Sequence, residues 1–135
     1  MSKTLHSAQK DKISTEMYLK TIFLLQEQGI KPKPVDLVKD LRLSKGSVSE
    51  MIKKLTDDKL INYESYGIIT FTKKGLQKAK NVVRKYLTVK DFLINVLKVP
   101  LDKVHDEACN LEHAFSDESI VKLNVLNKLK KSTSR

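Results

Sequence analysis

The fold is decided by Val35-Asp-Leu-Val-Lys-Asp-Leu41, Ser44-Lys-Gly-Ser-Val-Ser-Glu-Met-Ile-Lys-Lys-Leu55, Leu60-Ile-Asn-Tyr63 and Ile68-Ile-Thr-Phe-Thr72. In the first two stretches apolar residues recur every three or four positions, which indicates two short helices separated by a turn. The last two stretches are rich in β-branched and aromatic residues around a turn at 64–67, a pattern typical of a β-hairpin. A helix, a turn, a helix and a hairpin in this order predict a winged helix-turn-helix domain.

The second helix of the pair follows Ser44, and in this fold it would be the reader helix, which enters the DNA major groove. Lys45 can contact phosphate or guanine, and Glu50 either accepts from cytosine N4 or reads nothing. Small hydroxyl residues at the start of the helix let phosphates approach its free N–H groups. The DNA-binding candidates are Ser44, Lys45, Gly46, Ser47, Ser49, Glu50, Lys53 and Lys54, with Tyr66 at the tip of the wing. The alternative is a winged helix that contacts proteins.

The flanking sequence predicts four further helices. The first runs from Ser14 or Thr15 to about Gln28, and the fourth helix of the chain runs from Thr72 to about Leu97. A fifth begins at Pro100, and a sixth runs from Ser116 to about Leu129. We therefore expect a mostly α-helical protein with a small β-hairpin wing. Its predicted parts are a flexible basic arm (1–12), a winged helix-turn-helix domain (13–74), a long linker helix with a helical domain (75–129) and a basic tail (130–135).

The composition favours a nucleic-acid partner. The chain has 135 residues and a formal net charge of +10, a balance that attracts polyanions. Residues 73–90 carry seven basic residues and no acidic one, whereas residues 102–118 carry six acidic residues and one lysine. No segment has the pattern of a membrane span or a signal peptide, so we expect a cytoplasmic protein without a membrane partner. A single cysteine cannot form an internal disulfide, which fits a reducing compartment.

The motif His105-Asp-Glu-Ala-Cys-Asn-Leu-Glu-His113 contains the only cysteine of the chain and two of its three histidines. At about 100° per residue, His105, Cys109, Glu112 and His113 would cover an arc of roughly 100° on a helix. Thiolate, imidazole and carboxylate together suit a transition metal such as Fe(II), Zn(II) or Co(II). The alternative is a solvated helix face that contains a cysteine by chance.

Four stretches carry a resemblance to a known family, namely Thr15-Glu-Met-Tyr-Leu-Lys-Thr-Ile22, Ser47-Val-Ser-Glu-Met-Ile-Lys-Lys-Leu55, Phe71-Thr-Lys-Lys-Gly75, and Val104-His-Asp-Glu-Ala-Cys-Asn-Leu-Glu-His113 with Ser116-Asp-Glu118. From about residue 13 to 129 the sequence resembles the DtxR/MntR family of metal-dependent transcriptional regulators, which includes the diphtheria toxin repressor. The resemblance implies a winged helix joined by a long helix to a helical dimerisation domain, in the short form without an SH3-like domain. It also implies a homodimer that binds a pseudo-palindromic operator in double-stranded DNA, represses metal-homeostasis genes and is not an enzyme.

The same resemblance implies the metal ligands. Iron-responsive members use a methionine of the first helix and a Cys, a Glu and a His of the fifth, which correspond here to Met17, Cys109, Glu112 and His113. Manganese-responsive members carry Asp and Glu in place of the Met and the Cys. We therefore expect Fe(II), with Mn(II), Co(II), Ni(II) and Zn(II) as alternatives. The alternative for Met17 is an ordinary core methionine.

The family's ancillary metal site is expected to be lost in this chain. That site uses a His and a Glu of the long helix together with a His at the position of His105, and here the first two positions read Tyr86 and Lys90. A single imidazole does not hold a metal well. We expect the Lys90 ammonium to take the place of the cation and to pair with nearby acids.

An ion bound by Met17 and by the fifth helix would tie the DNA-binding half to the dimerisation half and so set the separation of the two reader helices in a dimer. Two other functions stay open: a metal-independent winged-helix regulator that senses oxidation through Cys109, and a zinc hydrolase, for which the sequence shows neither a catalytic carboxylate pair nor a nucleophile elbow. The candidates for the dimer interface, some of which must instead form the core, are Phe92, Leu93, Leu97, Phe115, Ile120, Leu123 and Leu126.

Overall fold

The computed structural model describes the backbone of residues 2–64 and 66–133 and the side chains of residues 14–64 and 66–131. The predicted fold class is confirmed, because these residues are mostly helical with one two-stranded hairpin. The elements from α2 to α4 lie close to their predicted bounds. In chain order the elements are α1 (Ser2–Glu27), α2 (Pro34–Leu41), α3 (Lys45–Asp57), β1 (Ile61–Tyr63), β2 (Ile69–Phe71), α4 (Lys73–Asn95), α5 (Leu101–Leu111) and α6 (Asp117–Thr133).

Both terminal helices are longer than the sequence predicted. α1 begins at Ser2 and not near Ser14, so residues 2–12, which were expected to form a flexible arm, are helical. α6 ends at Thr133 and not near Leu129, so the part of the expected basic tail that the structure describes is helical as well. Neither segment contains Gly or Pro, and a helix that is already nucleated adds further residues at little cost. The prediction relied on an apolar period, which these segments lack.

Local capping fixes the helix-turn-helix. At the start of α2 the Lys33 N–H donates to the Asp36 carboxylate (2.9 Å), and Pro34 occupies an early position of the helix. At the start of α3 the Ser44 hydroxyl accepts from the Ser47 N–H (3.1 Å), as the sequence predicted. α1, α2, α3, the hairpin and the start of α4 then share a core that includes Leu19, Ile22, Leu37, Val48, Leu55, Ile61, Ile69 and Ala79.

The wing is attached firmly to the start of α4. β1 and β2 pair antiparallel, with Asn62 opposite Thr70 at the centre. At the base of the hairpin, a Cβ on Gly75 would come 1.7 Å from the Leu60 carbonyl oxygen, so only glycine allows this approach. The Thr72 hydroxyl donates to the same carbonyl (3.1 Å) and accepts from the Gly75 N–H (3.0 Å). These contacts fix the direction in which α4 leaves the wing.

The chain divides into two compact units, residues 1–81 and 82–135, whereas the sequence placed the division at residue 74. The first unit contains the helix-turn-helix and the wing. The second unit has its own core, formed by Tyr86, Val89, Leu93, Val104, Ala108 and Ile120. Within the described residues, none of the helices combines the length and the apolar character that a membrane crossing requires.

Candidate functional site

α3 presents the predicted DNA-binding residues to solvent. Val48, Ile52 and Leu55 bury one face of the helix, and positions three or four residues apart on the opposite side remain exposed. The Ser44 hydroxyl caps α3, so its contribution is to hold the first free N–H groups of the helix in place. The residues that the structure brings together on the exposed face are Lys45, Gly46, Ser49, Glu50, Lys53 and Lys54, with Ser44 and Ser47 at its start. On the wing, Tyr66 is 86% exposed.

Two apolar recesses border α3, and neither was predicted from the sequence. The first, of about 290 Å³, is lined by Pro34, Val35, Val38, Lys45 and Ser49. The second, of about 380 Å³, is lined by Pro34, Ser49, Ile52, Lys53, Thr56, Asp57 and Tyr63. Val35 and Tyr63 are each 50% exposed, and such apolar surface beside a reader helix can contact a thymine methyl group. One signal was available, because Val35 lies off the apolar face that Leu37 and Leu41 define.

Cys109 belongs to a chain of three contacting side chains. Its Sγ lies 3.7 Å from Nε2 of His105, one turn earlier on α5. Nδ1 of the same imidazole lies 2.6 Å from the hydroxyl of Tyr86, which comes from α4. The two rings meet edge to face, at 78°. A single imidazole therefore connects a phenol of one helix to the thiol of another.

Burial and nearby negative charge both act on the phenol of Tyr86. Burial raises the pKa of the phenol above its ordinary value of 10.0, and the negative charges of Cys109 and Glu112 raise it further. One hydrogen bond joins the phenol to Nδ1 of His105, and the tautomer of the imidazole sets which of the two atoms donates. Nε2 is the ring nitrogen that faces the sulfur of Cys109.

Tyr86, Lys90 and His105 occupy the three positions of the family's ancillary site. In the structure Tyr86 lies beside both of the other residues, but Lys90 pairs with none of the described acidic residues, contrary to the prediction from the sequence. Its ammonium nitrogen lies 5.8 Å from the centre of the Tyr86 ring, which is a cation–π distance. The expected pairing of Lys90 with acids was wrong for the described side chains, in which Lys90 forms no ion pair. The negative face of the ring attracts the cation in place of a carboxylate.

Glu112 and His113 do not lie on α5 as the sequence predicted. The helix ends at Leu111; Glu112 is its C-cap, with its N–H still bonded to the Ala108 carbonyl, and His113 lies in the following turn. The Glu112 side chain is 1% exposed and the His113 side chain 7%, and Oε1 of the first lies 3.2 Å from Nε2 of the second. Burying a carboxylate beside an imidazole is costly unless a positive charge compensates it.

Met17 lies on α1 and is 38% exposed, so it is not a core methionine. The Met17 backbone carbonyl accepts from the Thr21 hydroxyl (2.8 Å), and this contact does not involve the side-chain sulfur. Met17 belongs to the first unit, whereas Cys109, Glu112 and His113 belong to the second.

The chemical types of the donor atoms fit a transition metal, but the described donors are not gathered around a common point. A thiol, a carboxylate and an imidazole occur within residues 109–113, and this mixture of sulfur, oxygen and nitrogen suits Fe(II) or Zn(II) better than Mg(II). Among the described side chains, however, no three His, Cys, Asp or Glu residues converge into a metal site. Metal binding would have to draw the donors together.

α6 carries an exposed apolar face that was not predicted from the sequence. Val121, Val125 and Leu129 follow one another every four residues and are 54–64% exposed. Among the predicted interface residues, Leu93 and Ile120 are buried in the core of the second unit, and Phe92, Phe115 and Leu123 pack against that core. Only Leu97 and Leu126 of that set are exposed.

Two family profiles match most of the chain. The profile of the iron-dependent repressor N-terminal DNA-binding domain matches residues 12–69. The profile of the iron-dependent repressor metal-binding and dimerisation domain matches residues 72–132.

Individual relatives agree with these profiles. An uncharacterized HTH-type transcriptional regulator of Methanocaldococcus jannaschii is 39% identical over 113 residues, which cover 83% of this chain and 90% of that protein. The diphtheria toxin repressor of Corynebacterium diphtheriae is 35% identical over 105 residues, or 78% of this chain and 46% of that protein. A solved manganese-dependent transcriptional repressor in complex with manganese superposes with a TM-score of 0.79 at 33% identity, over 84% of this chain and 52% of that one. The chain thus spans about half the length of such repressors.

Proposed function

This chain belongs to the family of iron-dependent repressors, and on that premise we propose that it is a DNA-binding transcriptional repressor for which a divalent metal ion is the co-repressor. One observation carries the proposal, namely that a single chain combines an exposed reader helix with a thiol, a carboxylate and an imidazole in one short segment of its second unit. The family profiles for DNA binding and for metal binding with dimerisation support the same pairing of roles.

The proposed ligands are Cys109, Glu112 and His113, with Met17 as the fourth. The 38% exposure of Met17 supports its inclusion, because a core methionine would be buried. The bound ion would supply a positive charge and a cross-link between the unit that carries Met17 and the unit that carries the other ligands. The charge would compensate the buried carboxylate of Glu112.

We propose Fe(II) as the physiological ion. Two of the four proposed ligands are sulfur atoms, and softer ligands favour Fe(II), Co(II), Ni(II) or Zn(II) over Mn(II). The manganese-bound repressor among the structural neighbours shows that one relative uses manganese, so Mn(II) stays an alternative here.

The residues around Cys109 would prepare its sulfur for a metal. Cysteine binds metal as the thiolate. With its proton on Nε2, His105, held by the Tyr86 hydroxyl (2.6 Å), would donate to the sulfur 3.7 Å away and stabilise the thiolate. We infer that Tyr86 and His105 are positioning residues for the metal site.

We also propose that each protomer binds one ion and not two. At the positions of the ancillary site, Tyr86 contacts His105 and Lys90 lies over the ring of Tyr86. The Lys90 ammonium beside the Tyr86 ring would repel a second cation, and the Nδ1 that Tyr86 engages would not be free to ligate it. The ancillary ion would thus be replaced by groups of the protein itself.

The repressor would act as a homodimer on a pseudo-palindromic operator in double-stranded DNA. The exposed apolar face of α6, with Val121, Val125 and Leu129, supports a protein contact there. Two reader helices can enter successive major grooves only at a separation of about 34–36 Å or a multiple of it. Metal binding would favour the conformation with that separation, which requires a preference of about 5.5 kcal/mol to move occupancy from 1:99 to 99:1.

The test combines metal stoichiometry with metal-dependent DNA binding. A random duplex library is selected on the full chain with Fe(II) under anaerobic conditions, in parallel with a chelator, and bound metal is counted by elemental analysis. We expect an enriched palindromic site only with metal, and one ion per protomer. Equal enrichment with and without metal would contradict the proposal.

A metal-independent regulator that senses oxidation through Cys109 is the second candidate. The observation that favours it is the 3.7 Å contact between the sulfur and Nε2 of His105, because a thiolate is the reactive form of cysteine. Loss of DNA binding on treatment with peroxide, reversed by dithiothreitol and unaffected by a chelator, would select this function.

A further inference from the structure

The basic run of residues 73–90 forms a surface that the reader helix does not use. Lys73, Lys74, Lys78 and Lys80 are exposed in the first turns of α4, and we call these four residues the α4 lysine surface. The opposite face of the helix is fixed, since Ala79 is fully buried. The four side chains therefore project from the side of α4 that faces away from its buried residue Ala79.

No described carboxylate neutralises the charge of the α4 lysine surface. Other lysines of the chain do form ion pairs, for example Lys85 with Asp117 (2.9 Å) and Lys122 with Glu118 (3.4 Å). Within residues 14–64 and 66–131, whose side chains the structure describes, none of the four lysines forms one. The surface thus presents four uncompensated positive charges to solvent.

This arrangement is unfavourable for the isolated helix. The first turn of α4 contains no acidic residue, and cations at a helix N-terminus add to the positive end of the helix dipole. Lys74 and Lys78 are four residues apart, a spacing at which like charges repel each other. A polyanion on this surface would relieve both effects.

We propose that the α4 lysine surface binds the sugar–phosphate backbone of duplex DNA that flanks the segment contacted by α3. The proposal rests on the proposed DNA-binding function and extends it to a second, sequence-independent contact. From Lys73 to Lys80 the helix advances about 10 Å, the length of duplex that carries about six phosphate charges.

The position of the surface favours flanking phosphates over those beneath the wing. α4 begins at the base of the hairpin, where Ile61 pairs with Phe71, and the turn with Tyr66 lies at the other end of the strands. Gly75 and Thr72 hold the start of α4 against Leu60 at that base. The lysines are therefore held at the end of the wing away from its tip, and on this proposal only a longer duplex reaches them.

The experiment compares two variants with the same net charge on duplexes of two lengths. The test variant is Lys73→Gln/Lys74→Gln/Lys78→Gln/Lys80→Gln. The control variant is Lys98→Gln/Lys103→Gln/Lys122→Gln/Lys128→Gln, which removes four exposed lysines of the second unit. Mixed-sequence duplexes of about 12 and about 40 base pairs serve as probes, and fluorescence anisotropy at several salt concentrations gives the affinity and its salt dependence. Circular dichroism verifies that each variant is folded.

On the long duplex we expect the test variant to bind at least tenfold more weakly than the natural chain at about 0.1 M salt, and its slope of log affinity against log salt to fall by about two to three. On the short duplex we expect both variants to stay within about twofold of the natural chain. An equal loss in the control variant, an equal loss on both duplexes, or a loss of self-association with unchanged DNA affinity would each overturn the inference. If the natural chain bound neither duplex, the proposed function itself would fail.

Discussion

The residues proposed for DNA lie in the opposite environment to Glu112 and His113 of the proposed metal site. Every DNA-binding candidate is exposed, and α3 is held by its cap and by the buried Val48, Ile52 and Leu55. By contrast, Glu112 and His113 are almost fully buried, and the described donors do not converge. The DNA surface is thus ready before its ligand arrives, whereas the metal donors must rearrange.

This difference indicates where regulation resides. A preformed surface changes little on binding, so phosphate contacts at α3 cannot by themselves distinguish two states of the protein. Donors that must rearrange release their binding free energy only in the rearranged conformation, and that coupling is what a co-repressor requires. The second unit is therefore expected to respond to the metal, and the first unit is expected to read DNA.

The largest expected effect tests the close packing at the base of the wing, which holds the DNA-binding unit in its preformed shape. Gly75→Ala places a Cβ 1.7 Å from the Leu60 carbonyl oxygen at the base of the wing, and we expect a loss of at least about 3 kcal/mol in the free energy of unfolding. Urea denaturation measures it. Gly46→Ala is the control, because the structure has open space there; stability should rise by up to about 0.5–1 kcal/mol. Equal stability of the two variants would show that the wing base is not tight.

The next effect tests the metal donors. Cys109→Ala and Glu112→Ala should each reduce metal-stimulated operator affinity by about 100-fold or more, because truncation removes one ligand, while weak non-specific DNA binding persists. Anisotropy with and without Fe(II) measures both quantities. Asn110→Ala, an exposed neighbour on α5, is the control and should respond normally. An undiminished metal response in Cys109→Ala would remove that residue from the site.

A smaller effect tests the cap of the reader helix. Ser44→Ala removes the acceptor of the Ser47 N–H (3.1 Å) and should cost about 1 kcal/mol of stability. Ser44→Asp, which retains an acceptor, should restore most of that stability but repel phosphates. Thermal unfolding and DNA affinity, measured on both variants, would separate the effect of capping from that of DNA contact. Equal stability of Ser44→Ala and the natural chain would show that the cap does not stabilise α3.

The smallest effect compares the two units through their buried tyrosines. Burial raises the pKa of Tyr18 in the first unit, and burial together with Cys109 and Glu112 raises that of Tyr86 in the second. A phenol with a higher pKa in the folded state stabilises the fold below about pH 10, and this contribution is lost as pH rises through the folded pKa. Stability should therefore fall above about pH 10, and less steeply in Tyr18→Phe and in Tyr86→Phe. Denaturation curves from about pH 8 to 11 measure this, and unchanged steepness in both variants would contradict it.

The helices and the hairpin were largely readable from the sequence because their signals are local. Ser44 caps α3 and Gly75 closes the wing base through contacts near in sequence or within one hairpin. The ends of α1 and α6 were misplaced, since a solvated helix end needs no apolar period. The recess beside Val35 and the apolar face of α6 were missed because exposure depends on what packs nearby.

By itself the sequence determined the helix-turn-helix, the wing, the charge distribution and the donor types at Cys109, Glu112 and His113, because periodicity, caps and side-chain chemistry are properties of short segments. Only the tertiary structure decided that α5 ends before Glu112, that Lys90 lies over the ring of Tyr86 and that the Tyr86 hydroxyl meets His105. Those contacts join residues up to 19 positions apart, and their geometry depends on how α4 and α5 pack, which no local pattern specifies.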